Sequence, residues 1–381
     1  MNGYYIIPTN RKNIDKHNHS SGVEKKVERH LKQFNKLYDT ACLVLVTETG
    51  IKEKIKTRIP LCSKTRNYNE LLEAIKDPCF VYIRRENADR KYLSFLKEIK
   101  KRHPECKILI EIYTYPYDID AYFRDLQSAF RAFPVYLKDL VYRHRMKGTV
   151  DRFVTYSNDD EIFGVKTIKT INGYDFSQIK PNRADNAMSD GKEIHLISVS
   201  FMQNHHGFER IIEGLAEYNR KNKGNRKIVF HIVGDGLVVE KYKRLVSRRH
   251  LEPYVIFYGK KTGDELEPIY KKADIGVCSF GMYKIGIDYA SSLKIPEYLA
   301  KGLPIIAGSK ISMMNNEKIR YCLEFRNDSS SVNMDRIVQF YDDVYSGKDR
   351  ASVAEEIHQY AEQHFDENRT FKPILDYIAN G

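Results

Sequence analysis

The sequence lacks any apolar run of about 18 residues or more, the length that a membrane-spanning helix requires. Its first residues, MNGYYIIPTN, contain no basic region and only a short apolar run, so we expect no signal peptide. These two absences argue against an integral membrane protein and against a secreted one. We expect a cytoplasmic protein.

Cysteine is scarce and scattered, and no two cysteines form a CxxC pair. The sequence therefore suggests no zinc site, and we expect no bound metal. Most of the cysteines lie in or beside apolar runs, which favours buried thiols in a reducing compartment. The six are Cys42, Cys62, Cys79, Cys106, Cys278 and Cys322.

With 381 residues, of which 42% are hydrophobic and 30% charged, the composition is typical of a soluble protein with a large core. This length favours two domains over one. A polar, irregular segment at 177–192 is the expected linker. We expect an N-terminal domain at 1–176, a C-terminal domain at 177–350, and a helical tail at 351–381 that packs back on the first domain.

Positive charge is concentrated in the first part of the chain. Residues 1–150 carry 30 Lys and Arg against 18 Asp and Glu, whereas the remaining residues carry 33 of each sign. The net charge of +12 therefore belongs entirely to the first 150 residues. Such an asymmetry indicates an anionic partner for this half: a nucleic acid, an acidic sugar or the anionic surface of a membrane.

Residues 195–308 repeat one rhythm: a short apolar run, a turn that bears glycine or small polar residues, and an amphipathic helical segment. Apolar strands that alternate with helices predict an α/β fold with a parallel sheet covered on both faces. Ligands of such sheets bind at the carboxyl ends of the strands. Three turns suit that position and suggest a phosphate-bearing ligand: 204–207, 234–236 and 291–294.

The first half shows the same alternation, with a strand at Gly3–Pro8 and a helix at Gly22–Leu37. Gly22 either lets another molecule approach the backbone closely or simply begins that helix. The apolar strand Lys107–Tyr113 contains a carboxylate, Glu111. A buried carboxylate is costly unless it is paired or used, so Glu111 is a candidate site residue, or else it is solvated at the strand end.

Asp118–Lys147 is predicted to form two helical pieces divided at Pro134. Basic residues recur in it every seven positions beside apolar ones. This pattern fits a helix lying on a membrane, and it also fits a solvated face beside a core face. The basic series is Arg124, Arg131, Lys138 and Arg145, and its apolar neighbours are Phe123, Phe130 and Leu137.

Four stretches carry a resemblance to a known family: GFERIIEGL, IVGDG, VIFYG and SLKIPEYLAKGLPII. In their order and spacing the chain resembles retaining glycosyltransferases of the GT-B fold, in the family 4-like group that builds bacterial surface polysaccharides. The resemblance implies two Rossmann-like domains whose parallel sheets face each other across a cleft. It also implies sugar transfer from a nucleotide diphosphate sugar, of UDP or GDP type, to a lipid-linked or oligosaccharide acceptor, without a separate cofactor.

The resemblance also implies roles for particular residues. The loop at Gly22 would face the phosphates of the donor and the acceptor. His206 and Gly207 stand where the family usually has Lys-Gly, with the Lys on donor phosphate. The turn Gly234, Asp235 and Gly236 would lie beside the nucleotide.

Further along the chain, Tyr258 and Lys260 resemble the strand end that contacts the nucleotide base in the family. Glu297 resembles the glutamate that binds the ribose hydroxyls. The turn before Glu297 would meet the diphosphate through its N–H groups and its lysine. Its residues are Ser291, Ser292, Leu293 and Lys294.

The sequence departs from the family pattern at three places. The histidine often found at the strand edge of the first domain is absent around Tyr113–Tyr117. Tyr289 stands where the first of two glutamates is usual, with Asp288 one residue away, and Ser200-Phe201 replaces the usual Gly-Arg. Lys294 and Arg210 are the nearest charges that compensate. Such cations and helix N-termini can stabilise a leaving diphosphate without a metal ion. Glu111 is the candidate catalytic group.

Other functions fit the same fold. A sugar-nucleotide epimerase of the GT-B type would also use UDP, and a non-catalytic GT-B partner subunit would fit the departures. No motif that reads DNA or RNA is recognisable, and aromatic residues do not alternate with basic ones on strands, so nucleic acid is not expected as a partner. Oligomeric state cannot be read from the sequence.

Overall fold

The computed structural model describes residues 2–9, 22–46, 62–65, 67–123, 126–181, 192–221, 226–313 and 318–380. The chain forms two compact units. The N-terminal unit consists of Met1–Ile171 together with Glu367–Gly381, and the C-terminal unit consists of Asn172–Asp366.

The N-terminal unit alternates strands and helices. Its strands are β1 (Asn2–Thr9), β2 (Asp39–Val46), β3 (Cys62–Thr65), β4 (Pro78–Arg84), β5 (Lys107–Ile112), β6 (Arg152–Thr155), β7 (Glu161–Ile162) and β8 (Val165–Lys169). Its helices are α1 (Gly22–Phe34), α2 (Tyr68–Ala74), α3 (Arg90–Arg102), α4 (Asp118–Tyr122), α5 (Leu126–Arg143) and, from the end of the chain, α12 (Glu367–Asn380).

The eight strands form one sheet in the order β3-β2-β1-β4-β5-β6-β8-β7. All neighbours are parallel except β7 and β8. The sheet reverses its direction of growth between β1 and β4, as a doubly wound sheet does. Strand residues alternate between two cores, because successive side chains point to opposite faces. Tyr5 and Tyr82 join an aromatic core with α1 and α12, whereas Ile6 and Ile83 join an aliphatic core on the other face.

The C-terminal unit repeats this plan. Its strands are β9 (Glu193–Val199), β10 (Lys227–Val233), β11 (Val255–Gly259), β12 (Ile275–Val277), β13 (Tyr289–Ala290), β14 (Ile305–Ala307), β15 (Lys310–Ile311) and β16 (Cys322–Glu324). Its helices are α6 (Glu209–Lys221), α7 (Val239–Arg248), α8 (Glu267–Lys272), α9 (Lys294–Ala300), α10 (Met334–Tyr345) and α11 (Arg350–Phe365).

Six of these strands form a parallel sheet in the order β11-β10-β9-β12-β14-β16. This is the doubly wound order 3-2-1-4-5-6, in which ligands bind where the order reverses, outside the carboxyl ends of the first and fourth strands. Here that place lies beyond β9 and β12. Strands β13 and β15 form a separate parallel pair.

Three local expectations need correction. Pro134 lies inside α5 instead of dividing two helices, and the division falls between α4 and α5. The helical tail does not act as one element, since α11 belongs to the C-terminal unit and α12 to the N-terminal unit. Cys42 is disulfide-bonded and not a thiol.

Among the cysteines that the structure describes, four are free thiols: Cys79, Cys106, Cys278 and Cys322. Cys106 and Cys278 are buried, as expected. Across the described ranges, no helix combines the length and the hydropathy needed to cross a membrane.

Candidate functional site

The turns after β9 and β10 are joined by backbone hydrogen bonds. Ser200 N–H donates to the carbonyl of Val233 at 2.9 Å, and Met202 N–H donates to that of Asp235 at 2.7 Å. Beyond them, Leu237 N–H donates back to the carbonyl of Met202 at 2.9 Å. The predicted turn Gly234–Gly236 is thus fixed against the end of β9, at the carboxyl edge of the sheet.

His206 closes a short 3₁₀ turn, Asn204–His206, at this edge. Its ring is buried, and its Nδ1 accepts a hydrogen bond from Gln203 N–H at 2.9 Å. Burial, aided by the nearby positive charge of Lys294, lowers the pKa of His206 well below its ordinary value. A neutral imidazole with Nδ1 occupied keeps Nε2–H as its remaining donor, so His206 cannot supply the charge that a lysine would bring here.

Gly207 follows with a left-handed backbone, φ 64°. A Cβ at this position would lie 2.4 Å from the backbone nitrogen of Gly281. Only glycine satisfies both the conformation and the close approach. The turn is therefore held rigidly just before α6 begins.

Lys294 is the most unusual charge in this region. It is the first residue of α9, and its Nζ lies 5.6 Å above the ring of Phe208. Nζ is buried and has no hydrogen-bond partner among the described residues. Burial lowers the pKa of Lys294 to about 8, although Cys278 and Glu297 oppose the shift. A desolvated ammonium without a partner is a ready site for an anion.

Two hydroxyls near the strand ends are, like Lys294 Nζ, buried without a hydrogen-bond partner among the described residues. The Oγ atoms of Ser200 and Ser292 are buried, and within the described part of the chain they make no hydrogen bond. Ser200 follows the last residue of β9, and Ser292 lies two residues before Lys294. Buried donors of this kind are rare unless something absent from the chain itself satisfies them, such as water or a ligand.

The remaining residues of the predicted 291–294 turn, with Glu297, are held by specific contacts. Ser291 binds Asn172: its Oγ accepts the Asn172 backbone N–H at 2.9 Å and its carbonyl accepts the side-chain amide. Leu293 occupies the N-cap position of α9. Glu297 Oε1 accepts a hydrogen bond from the Tyr270 hydroxyl at 3.2 Å.

Arg210 has a different role from the one predicted. Its guanidinium is buried and donates to three backbone carbonyls, those of Ser330 at 2.6 Å, Phe280 at 2.8 Å and Arg326 at 2.9 Å. It also faces Asp328 at 3.4 Å. With these partners Arg210 ties α6 to the loop before α10, and it is not available to compensate for the missing Gly-Arg.

Tyr258 is half-buried near the end of β11, and its hydroxyl lies 2.9 Å from Nδ1 of His231. Lys260, just after the strand, is exposed. Both therefore lie at the carboxyl edge where the sequence predicted them.

In the N-terminal unit, Glu111 lies near the carboxyl end of β5 and is fully buried, so the alternative of a solvated carboxylate is wrong. Its Oε1 accepts from Lys26 Nζ at 2.7 Å and from the Tyr156 hydroxyl at 2.9 Å. Arg84 Nη1 lies 3.5 Å from Oε2. Burial would raise the pKa of Glu111, but Lys26 and Arg84 outweigh it and hold the pKa below its ordinary range. Glu111 is therefore an ionised carboxylate and a weak base.

Gly22 is the first residue of α1, the helix that carries Lys26 to Glu111. The sequence identified Glu111 but not its partners Lys26, Arg84 and Tyr156. A carboxylate in an apolar strand does signal that cations must lie nearby. Which ones they are depends on packing between α1, β4 and the end of β6, and no local pattern encodes that.

The sequence of the C-terminal unit matches a known protein family. Residues 193–331 match the model of a family described as glycosyl transferases group 1. The prediction of a glycosyltransferase is thereby confirmed. No curated protein sequence matches the chain significantly.

Solved structures match the chain over nearly its full length. A glycosyltransferase from Rickettsia africae is 13% identical, with a TM-score of 0.60 and 99% of each chain covered. Anabaena HepE, in complex with UDP and glucose, is 14% identical, with a TM-score of 0.63 and 99% of each chain covered. The lipopolysaccharide outer core galactosyltransferase WaaB is 13% identical, with a TM-score of 0.60 and coverage of 100% of this chain and 99% of WaaB. The predicted GT-B fold of two Rossmann-like domains is confirmed.

The rigidity of the Gly207 turn can be measured by comparing two alanine variants. Gly207 and Gly259 both have positive φ, but a Cβ at Gly259 would meet nothing within 4 Å. Gly259→Ala should lower the free energy of unfolding by only about 1 kcal/mol, the cost of giving a non-glycine residue a positive φ. Gly207→Ala should lose about 2–4 kcal/mol in the free energy of unfolding, measured by urea titration, because its Cβ overlaps backbone atoms. Equal losses would show that the turn relaxes freely.

The burial of Lys294 predicts a pH-dependent stability. Its pKa is about 8 in the folded state against an ordinary 10.5. Between these values the unfolded chain binds a proton that the folded chain does not, so stability should rise with pH. Lys294→Met should be more stable than the wild type below pH 8, by up to about 3 kcal/mol, and the gap should close near pH 10.5. If the free energies of unfolding of the two proteins change in parallel from pH 7 to 10.5, Lys294 is not a buried, unpaired ammonium in the folded state.

Proposed function

We propose that this glycosyltransferase moves a sugar from a nucleotide diphosphate sugar, of UDP or GDP type, to a lipid-linked or oligosaccharide acceptor in bacterial surface polysaccharide synthesis. The observation that carries the donor assignment is the buried ammonium of Lys294, which has no partner within the described ranges and lies beside the point where the sheet order reverses. The HepE structure holds UDP and glucose, and WaaB is a lipopolysaccharide galactosyltransferase. Both have the same fold, which supports the proposal.

The diphosphate is placed at Lys294 because the chemistry there is complementary. An anion would give the ammonium the partner it lacks and would restore its ordinary pKa. The hydroxyls of Ser200 and Ser292, which make no hydrogen bond to the part of the chain that the structure describes, add two further donors. Glu297, steadied by Tyr270, offers carboxylate oxygens that suit the two hydroxyls of a ribose.

The reaction needs positive charge on the donor side, because negative charge grows on the leaving diphosphate as the glycosidic bond breaks. Lys294 supplies that charge from a desolvated position, where it acts more strongly than in water. We assign the chain a retaining transfer on the family resemblance alone, and a metal-independent one because Lys294 can stabilise the leaving diphosphate. Glu111, buried and paired with Lys26 and Arg84, is an ionised weak base and is poorly suited to proton abstraction.

The acceptor is assigned to a membrane surface because of an unusual helix face. Along α5, apolar residues spaced three and four apart form one stripe, and the stripe is exposed. Phe130 is 82% exposed, Leu137 45% and Val141 48%. The opposite face of the helix is buried through Asp139 and Arg143. A helix that turns its apolar face outward has left that face for something other than the core.

Basic side chains flank this stripe. Arg131 and Lys138 on α5 and Arg145 just after it are exposed, and Phe133 and Pro134 widen the apolar face. Arg124 lies outside the described residues. Lysines and arginines near an anionic leaflet contribute about 1 kcal/mol each, and buried aromatic rings add to that. We therefore place the protein at the inner face of the cell membrane, in peripheral contact with anionic lipid.

The donor assignment predicts that Lys294→Ala weakens the binding of UDP or GDP by about 10- to 150-fold, since a charge-assisted hydrogen bond contributes about 1.5–3 kcal/mol. Calorimetry across a panel of nucleotide diphosphates and their sugars would measure it. The matched control is Lys243→Ala, which removes an exposed lysine paired with Glu240 on α7. Wild-type affinity in Lys294→Ala would remove Lys294 from the donor site, and a wild type that binds but never turns over any donor would favour a non-catalytic subunit.

The membrane assignment predicts that two kinds of variant, one in charge and one in apolar side chains, bind anionic vesicles more weakly than the wild type. Reversing Arg131, Lys138 and Arg145 to glutamate should abolish sedimentation with phosphatidylglycerol vesicles at low salt, and serine at Phe130 and Leu137 should weaken it by at least about tenfold. Hydrolysis of the soluble donor should be unchanged in both variants.

The control for that experiment reverses three exposed lysines on α3, which has no exposed apolar stripe: Lys91, Lys97 and Lys101. This variant changes net charge equally and should keep most of the binding. A wild type that ignores anionic vesicles, or a control that fails as badly as the α5 variant, would contradict docking through α5.

A further inference from the structure

The turn that carries Lys294 is held by a residue far from it in the chain. Asn172 is buried and is the first residue of the C-terminal unit. Although it precedes Ser291 by 119 positions, its backbone N–H donates to Ser291 Oγ at 2.9 Å. Its side-chain amide donates to the carbonyl of the same residue. Two hydrogen bonds from one residue therefore fix both the side chain and the backbone of Ser291.

The second of these bonds requires an asparagine amide. A backbone carbonyl only accepts hydrogen bonds, so the Nδ2 atom of Asn172, and not its Oδ1, faces the carbonyl of Ser291. An aspartate here would turn a carboxylate oxygen toward that carbonyl, and an alanine would leave the carbonyl without this donor. The bond therefore depends on the side chain at position 172, and a substitution can remove it while the backbone N–H bond stays in place.

Ser291 lies between an element that is fixed by pairing and the helix that bears Lys294. On its N-terminal side, β13 pairs with β15, and Ser312 N–H donates to the carbonyl of Ala290 at 3.1 Å. On its C-terminal side, two residues lead to α9, which begins at Lys294. The position of Ser291 therefore sets the path of this connection, because two residues span only about 7 Å.

Asn172 can serve as an anchor because its own segment is fixed to α11. Tyr174 N–H donates to the carbonyl of Phe365, the last residue of α11, at 2.8 Å. The same helix also reaches the far end of α9, where His358 Nδ1 lies 2.6 Å from the carbonyl of Ala300. The segment at Asn172 thus holds the beginning of the path into α9, while α11 holds the end of that helix.

We propose that Asn172 is a positioning residue for the donor: by holding Ser291, it keeps the Ser292 hydroxyl and the Lys294 ammonium in place for the diphosphate. Both of these groups are buried and make no hydrogen bond to the described part of the chain, so their position depends on the backbone that carries them. Asn172 acts through this turn and does not itself touch the ligand. This inference rests on the donor site proposed above.

The test is a double-mutant cycle on nucleotide affinity, measured by calorimetry with UDP and GDP. Asn172→Ala should weaken the binding of the preferred nucleotide by about 2- to 13-fold, because the loss of one neutral hydrogen bond lets the turn move. In a Lys294→Ala background the same substitution should weaken binding by less than about twofold, because residues that act as one unit do not contribute additively.

Two further variants separate positioning from stability. Ser291→Ala removes only the hydroxyl that accepts the Asn172 N–H, so it should weaken binding in the same way, and it replaces Asn172→Ala in the cycle if that variant does not fold. Asn35→Ala is the matched control, because it removes a side-chain amide that accepts from Thr40 N–H at 3.0 Å in the N-terminal unit. It should lower the free energy of unfolding without changing nucleotide affinity.

The outcomes distinguish a failure of this inference from a failure of the donor site. If the losses in affinity multiply fully in the double variant, or if Asn172→Ala loses stability but keeps wild-type affinity, Asn172 acts only on the fold. Either result overturns the inference and leaves the donor site standing. A wild type that binds neither UDP nor GDP, or wild-type affinity in Lys294→Ala, overturns the donor site itself.

Discussion

A parallel sheet covered by helices on both faces leaves its strand ends as the place for polar chemistry, and both units of this protein are built on that constraint. Their central strands are apolar on each face, so charged side chains gather at the carboxyl edge or in the helices beside it. Glu111 in one unit and Lys294 in the other follow this rule. Their surroundings differ in one respect, which is the number of partners that the chain itself supplies.

Glu111 has its counter-ions within the fold. Lys26 and Arg84 outweigh the cost of burying its charge, so the carboxylate stays ionised. Lys294 has no counter-ion or hydrogen-bond partner among the described residues. Burial lowers its pKa to about 8, as it does for Lys26, so the difference between the two lysines is the partner and not the pKa. A buried charge that the fold leaves unpaired destabilises the protein alone and is offset only when a ligand arrives. That asymmetry is why we propose the donor site at Lys294 and not at Glu111.

The sequence predicted the alternation of strands and helices, the parallel sheets and the turns at 204–207 and 234–236, because period and turn chemistry are local. It could not separate Lys294 from Arg210, since both are single cations near a Gly-bearing turn. Only the packing shows that Arg210 donates to the carbonyls of Ser330, Phe280 and Arg326. Lys294 Nζ, in contrast, has no hydrogen-bond partner among the described residues. It also could not predict that His195 Nδ1 and His231 Nε2 lie 2.9 Å apart on neighbouring strands, because the two residues are distant in the chain.

The exposed face of helix α5 is a second feature that the sequence did not predict unambiguously. A stripe of apolar residues at helical spacing ordinarily marks the face that packs on the core, and the sequence allowed that interpretation equally. Pro134 also suggested a break, although the helix continues through it. In the structure the inner side of α5 packs on the core through Ala132 and Tyr136. It is also fixed by polar contacts, with the carboxylate of Asp139 accepting from Ala88 N–H and from the Tyr117 hydroxyl. Because these contacts hold α5 on the core, the apolar stripe on its other side is left exposed. The basic residues beside that stripe are the reason why we propose an anionic membrane as its partner.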